Sequence, residues 1–572
     1  MSSLKGFGLR LDSRAGFYSI YFDGRPVVRH ACISIEMEEQ VYKSSYSRFS
    51  CVDQSSGEKF HFVFSDRHGI CNIELIAKRI EDGAGLVLSL ILHNRSVGEL
   101  RIKNIFPVIA TREDGGGFSF WQDVNDVKLL NDEWERCYGD AEVRPLRSQD
   151  EFQSAWDVHL FNTRTNLNFS ASFYEAPNTK LSFTIRRHDD IPEADLIVRA
   201  DTHAGKRGVL LRSEESFTLS ELLFLFSRGS PLPALERYAQ LVARRNNVEV
   251  PAKVPIGWAD WYFAYGTTTE AEALKNLDFI AQELKDYGVE YFEIDSAWQL
   301  GVETTPPPDN VIAGGPWVPN RKFPHGMKWL ADRIREKGLK PGIWVRPFQM
   351  IEGAPERNEH PDWFNEKGQM DFSNREVREW VRCLFEMLVD DWGYEYIKYD
   401  FPSFDLFGEW GPKLFEEHAA HVEPSDQTLT NIQAYREALK TIRETTAGKS
   451  ILMACNSVMP PTLGLADAFR IGDDVGDWAR TFKYGVKSVS ARYYTNCVYW
   501  VNDPDCLIVR EPFTIDQARM WASLVALSGG VVFISEKVYD LPPERLDIIK
   551  RVLPVFRNTD GGYPFGRPVD LI

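Results

Sequence analysis

Two carboxylate settings in the second half of the chain have the residue types and spacing that nucleophilic and acid–base chemistry need. In YEYIKYDFPSF, alternation along an extended segment puts Lys398 and Asp400 on one face and Tyr399 on the other. An ammonium beside a carboxylate favours the ionised form, which is the form that attacks an electrophilic carbon. The plainer reading of the same pair is a salt bridge at a strand end. In LADAFRIGDDVGDW, Arg470 precedes Asp473, Asp474 and Asp477. Crowded like charges raise the proton affinity of at least one member, as a general acid working near neutral pH requires. One ionised carboxylate and one protonated carboxyl, about 5 Å apart, are what glycosidic cleavage with retention of configuration uses. Which of the three acids carries the proton is left open by the residues alone.

Such groups need strands to aim them. From Pro255 onward, short apolar runs alternate with helical patterns, and eight runs read as strands: GWADWY, YFEIDSAW, PGIWVRPF, YIKYDF, ILMACNS, AFRIGDD, VYWVNDPD and GGVVFISE. Between them, EAEALKNLDFIAQELKDYG, MKWLADRIREKG, EVREWVRCLFEMLVDDWG and AYREALKTIRETTAG carry apolar residues at three and four spacing, with a glycine where a helix should stop. A doubly wound sheet shares this local grammar, but the count predicts a (β/α)₈ TIM barrel. Nearly every strand ends in a chemically capable residue: Asp260, Asp295, Arg346, Asp400, Asn456, Asp474, Asp503. In a barrel those ends converge on one mouth.

The chain up to about Gly229 reads differently, as many short alternating or aromatic-rich runs such as GFYSIYFDG, LVLSLILHN and FTLSELLFLF broken by Gly, Asp, Asn and Pro. A large antiparallel sandwich is expected there. SPLPALERYAQLVARRNNVEVPAKVP then reads as a helix and a Pro-bracketed linker. The expected division is residues 1–230 for the sandwich, 231–556 for the barrel and 557–572 for a C-terminal stub. A formal net charge of -17 argues against a phosphate-neutralising surface and so against nucleic acid as a partner. Eight cysteines with no CxxC pair read as buried thiols in a reducing compartment. With no leader-like start and no apolar run long enough to cross a bilayer, a cytoplasmic protein away from membranes is expected.

In order along the barrel half, GWADWY, IDSAW, PGIWVRPF, YIKYDF, ACNSVMPP, RIGDD and WVNDPDCLIVR resemble the α-galactosidases of glycoside hydrolase family 36, in clan D, over about Pro255 to Arg510. The sheet-rich half agrees with the β-supersandwich that precedes the barrel in that family. The resemblance implies Asp400 as nucleophile and Asp474 as acid/base, with Asp473 a lower-ranked rival. It also implies that Lys398 binds ring hydroxyls, that Arg470 holds the hydroxyl beside the anomeric centre, and that no metal or organic cofactor takes part. The implied ligand is a glycoside or oligosaccharide.

Two departures stand out. The family's paired aspartates after the second strand, which hold the 4- and 6-hydroxyls of galactose, are here Asp295 and Ser296. A related sugar such as a β-L-arabinopyranoside is therefore a further candidate. The β domain that usually closes the family is expected to be absent or truncated. Among the tryptophans near the mouth (Trp258, Trp261, Trp298, Trp317, Trp344), Trp317 is the first candidate for a sugar platform and Trp258 the second. Arg346 suits an anionic substituent or a structural role. Asn502 to Asp505 read as pocket support or a helix cap rather than a calcium loop, and His418 and His421 lack zinc-helix spacing. A transglycosylase of raffinose-synthase type and a non-catalytic sugar-binding protein are the alternatives.

Overall fold

The alternating runs before Gly229 form two antiparallel sheets, of ten and nine strands among the described residues. The computed structural model describes residues 6–38, 40–119, 126–132, 141–146, 151–188, 193–202, 204, 207–301, 313–408, 422–555 and 565–569. His418 and His421 lie outside them. The strand Cys71–Ile80 shows the alternation at work, with Cys71, Ile73, Leu75 and Ala77 turned inward. Between the sheets, Phe22 stacks on Phe226 with centroids 4.4 Å apart, and Phe118 meets Phe169 at 5.4 Å. The strands Asp157–Asn162 and Leu167–Phe173 are buried at every residue, because their outer face is covered as well. The helix Pro231–Arg245 sets Tyr238 against His159 at 4.7 Å, and the barrel sets Tyr494 there at 6.2 Å. This is the expected sandwich.

All eight strand candidates of the second half are strands: β1 (Ile256–Ala259), β2 (Tyr291–Ile294), β3 (Lys340–Val345), β4 (Tyr396–Tyr399), β5 (Ile451–Ala454), β6 (Ala468–Arg470), β7 (Val501–Asp503) and β8 (Val532–Ile534). They pair in parallel in the order β7-β6-β5-β4-β3-β2-β1-β8. Between β7 and β8 the Val531 N–H donates to the Asn502 carbonyl at 2.8 Å, which bridges the last gap of the TIM barrel. These strands are mostly buried, as parallel strands covered by helices must be.

The helices are specified locally. Glu270–Glu283 buries Ala273, Leu277 and Ile280 at three and four spacing and is capped by the Thr269 hydroxyl, which accepts from the Glu272 N–H at 3.3 Å. Asn431–Thr446 and Ile515–Ser528 start with reciprocal capping boxes, Thr430 with Gln433 and Thr514 with Gln517. At Gly338, after the helix Met327–Glu336, φ is 75°, a left-handed conformation that favours glycine where the helix stops. Crossing helices of this kind bring the strand ends to one mouth: Asp260, Asp295, Arg346 and Asp400 are each the first residue past β1 to β4.

Candidate active site

Asp400 is 6% exposed and its carboxylate is fixed by three donors. The Trp344 indole N–H reaches Oδ2 at 3.0 Å, while Asn456 Nδ2 and the Phe401 N–H reach Oδ1, both at 2.8 Å. Trp344 comes from β3 and Asn456 from just past β5, so the two strands flanking β4 supply the side-chain donors. Phe401 and Asn456 have φ of 66° and 42°, left-handed conformations that cost about 1–3 kcal/mol each where the surrounding structure imposes them. The sharp turns they make aim an amide N–H and a carboxamide at one carboxylate. Orientation of that kind is what a nucleophile needs.

Lys398 lies in the same mouth, but its close partner is not Asp400. Its ammonium sits 2.7 Å from Asp295 Oδ2, at the end of β2. Alternation placed Lys398 on the correct face without revealing which carboxylate crosses the barrel to meet it. Burial works against the charge, yet Asp295, with Glu293 and Asp400 nearby, holds the Lys398 pKa well above the ordinary lysine value. The Asp295 N–H donates to Asp260 Oδ1 at 2.7 Å. Burial, with the charge of Asp295 adding to it, pushes Asp260 up to about 6. Ser296 is buried beside them, with its N–H on Asp295 Oδ1 at 2.7 Å. Below Asp295 on the same strand, Glu293 is driven well above its ordinary value by burial, and its Oε1 has no hydrogen-bond partner among the described residues.

The opposite wall is built around Arg470. Its Nη2 lies 2.7 Å from Asp474 Oδ1 and 2.7 Å from Asp505 Oδ2. Asp505 also accepts from the Val475 N–H at 2.6 Å and from the Tyr262 hydroxyl. Burial raises the Asp505 pKa, with Asp474 and Asp503 adding to the effect and Arg470 opposing it. The two other acids of the sixth-strand cluster are committed elsewhere. Asp473 takes a forked ion pair from Arg480 at 3.0 and 2.8 Å, and Asp477 caps the following turn by accepting from the Arg480 N–H at 3.1 Å. Asp474 keeps a side chain 34% exposed, against 6% for Asp400 as a residue. Tyr262 was not singled out in the sequence, and Asp505 was read there only within the NDPD stretch, with no partner named. The available signal was the aspartate that ends NDPD, 35 residues past Arg470 in sequence and in contact with it only once the barrel closes.

Three aromatic and basic candidates need correction or placement. Trp258 is 0% exposed, stacks on Phe292 at 4.3 Å and donates its indole N–H to the Glu536 carbonyl at 2.8 Å, so it is a core residue and not a platform. Arg346 is not available to an anionic substituent. It is 6% exposed, its Nη2 lies 2.6 Å from Asp405 Oδ1, and the Phe401 ring packs 4.8 Å from its guanidinium carbon. Trp317 sits in a tryptophan cluster, 5.8 Å from Trp298 and 6.3 Å from Trp344, the donor to Asp400. Its indole N–H is buried and makes no hydrogen bond among the described residues. Asp405→Ala would strip the buried Arg346 guanidinium of the carboxylate that forms its ion pair. The barrel is then expected to lose about 3–5 kcal/mol, read as an earlier calorimetric transition. An unchanged transition would show that the pair is dispensable and would return Arg346 to the residues able to meet a ligand.

Comparisons with known proteins bear on the fold and on the barrel half of the sequence. The family model described as Melibiase matches residues 238–404, which run from the helix before β1 through Asp400. The bifunctional α-galactosidase/sucrose kinase AgaSK of Mediterraneibacter gnavus is 26% identical over 209 residues, 33% of this chain and 21% of that protein. α-Galactosidase 3 of Arabidopsis thaliana is 26% identical over 322 residues, 54% of this chain and 61% of that protein. The chain thus spans about a fifth to three-fifths of the length of these relatives. Among solved structures, the α-galactosidase TtGalA of Thermus thermophilus, in complex with p-nitrophenyl α-D-galactopyranoside, superposes with a TM-score of 0.58 at 21% identity, covering 84% of this chain and 92% of that one. The family 36 α-galactosidase AgaA of Geobacillus stearothermophilus, solved as a variant with stachyose, gives a TM-score of 0.62 at 15% identity over 92% and 74%. In part of its sequence the chain is similar to α-galactosidases, and in fold it is similar to the family 36 α-galactosidase AgaA.

Proposed function

We propose that the protein is a retaining exo-α-glycosidase that removes a terminal α-galactosyl unit, or a closely related pyranosyl unit, from a glycoside or oligosaccharide. The observation that carries this reading is the contrast between two carboxylates at one barrel mouth. Asp400 is buried and held by Trp344, Asn456 and the Phe401 N–H, as a group that must attack one carbon along one line should be. Asp474 is partly exposed and steered by Arg470, as a group that must meet both a departing oxygen and an incoming water should be. The reaction forms a bond from Asp400 to the anomeric carbon as the glycosidic oxygen leaves with a proton from Asp474. Water then attacks the glycosyl-enzyme while Asp474 takes its proton back, so the configuration is retained. In this reading Lys398, Asp295 and Arg470 bind ring hydroxyls, and Trp317, packed beside the buried Trp344, supplies the apolar face for the ring.

A panel of aryl α-galactoside, β-L-arabinopyranoside, N-acetyl-α-galactosaminide and α-glucoside, followed by NMR of the first-formed anomer, tests the reading. Turnover of the α-galactoside or the arabinopyranoside with retention is expected. Inversion, or no turnover across the panel, would overturn it. Ser296 is the residue to vary in the same panel. A serine there presents a hydroxyl where a carboxylate would accept strongly from a sugar hydroxyl, so Ser296→Asp is expected to raise the galactoside-to-arabinopyranoside ratio of kcat/KM by about 10-fold or more. A ratio that does not move would place Ser296 away from the 6-hydroxymethyl of the sugar.

A further inference from the structure

The acid side of the mouth leans on the other domain. Arg492, in the segment between β6 and β7, is 0% exposed, and Asp132, at the end of the sandwich strand Val127–Asp132, is 3% exposed. Arg492 Nε and Nη2 donate to the two oxygens of Asp132 at 2.8 and 2.5 Å. The same guanidinium has a third use: its Nη1 donates to the Ile471 carbonyl at 2.6 Å. Ile471 follows Arg470 directly and stands three residues before Asp474, and its own N–H is tied to the Asp503 carbonyl at 2.9 Å. The backbone around Arg492 is fixed in turn, since its carbonyl accepts from Asn502 Nδ2 at 3.1 Å.

A guanidinium is planar, and its donors keep fixed directions relative to one another. Two of its edges are therefore coupled here: if the carboxylate of Asp132 is moved or weakened, the nitrogen on Ile471 cannot keep both its place and its aim. Buried ion pairs are poor sources of net stability, which directs attention to what the pair specifies. We propose that Arg492, oriented by Asp132 of the sandwich, is a positioning residue for the acid/base, fixing the Ile471 carbonyl and with it the start of the loop that carries Asp474. The N-terminal sandwich is then a working part of the active site. This inference rests on the reading of Asp474 as the acid.

The test compares Asp132→Asn and Arg492→Lys with Thr430→Val. The last removes a different bridge between the domains, the Thr430 hydroxyl on the Asn178 carbonyl at 2.5 Å, together with the cap of the helix Asn431–Thr446, and serves as a control for lost stability alone. Two readouts are taken on the full chain: kcat/KM for aryl α-galactosides with good and poor leaving groups, and amide exchange over residues 472–476. Asp132→Asn and Arg492→Lys are expected to cost about 10-fold or more on the poor leaving group, less than about 3-fold on the good one, and to speed exchange in the loop. Thr430→Val should lower the Tm and change neither readout. Losses equal across leaving groups, with exchange unchanged, would overturn the inference while leaving the proposed function intact. Arg492→Lys keeps the buried charge and loses only the fork, so it decides the matter if Asp132→Asn does not fold. If the parent protein turns over no glycoside, the proposed function fails by itself. The exchange comparison then decides whether Arg492 orders the loop: faster exchange in both variants supports the inference and parent-like exchange overturns it.

Discussion

Asp400→Gly is expected to reduce turnover of an activated aryl α-galactoside by at least about 10⁴-fold, and azide is expected to restore part of it with formation of the β-galactosyl azide. A factor of 10⁴ corresponds to about 5.5 kcal/mol of lost transition-state stabilisation. Two losses account for that size: the covalent route itself, and the charge that faces the developing oxocarbenium ion. Glycine removes the carboxylate and leaves room on the side of the ring that Asp400 would attack. A small anion can enter there and attack from the same face in a single displacement, giving the inverted product. The three donors that hold Asp400 remain, and Trp344 and Asn456 present N–H groups to whatever anion replaces it. Unimpaired turnover in this variant, or rescue that yields the α-azide, would remove Asp400 from the role of nucleophile.

How far the sequence could be read depends on the distance over which each interaction acts. The eight barrel strands were legible because a parallel strand covered on both faces must be an apolar run, and because the helices between them carry their caps and stops within four or five residues. The strand-end positions of Asp260, Asp295, Arg346 and Asp400 followed from that rhythm. What those side chains touch did not. Lys398 and Asp295 are 103 residues apart, and Arg346 and Asp405 are separated by 59, so both pairings are products of barrel closure. Arg346 shows the consequence: a strand-end arginine is equally suited to a ligand or to a buried aspartate, and only the fold decides. Trp258 misled for a related reason. It stands two residues before the strand-end Asp260 and so near the mouth in sequence, but it packs on Phe292 of the neighbouring strand, which only the fold reveals. Asp505 and Tyr262 were harder still, since their meeting with Arg470 joins three separate strand ends.

Asp474→Ala should behave differently from Asp400→Gly, and the difference identifies the acid. A substrate with a poor leaving group needs its proton, so kcat/KM is expected to fall by about 10²–10⁴-fold on an alkyl galactoside or an oligosaccharide. An aryl galactoside whose phenolate leaves unaided should form the glycosyl-enzyme at nearly the parent rate, and turnover then stalls because no base activates water. Azide needs no base, and it attacks from the side left by the aglycone, so the expected product is the α-galactosyl azide, opposite in configuration to that from Asp400→Gly. Asp474 is partly exposed, as a group that must meet water from solvent should be. Asp473 supplies the control. Its carboxylate is held by Arg480 at 3.0 and 2.8 Å, so Asp473→Ala should disturb the loop and cost activity about equally on good and poor leaving groups. If instead Asp473→Ala shows the leaving-group dependence and Asp474→Ala does not, the acid is Asp473. Arg480 would then be the residue that must move away for catalysis.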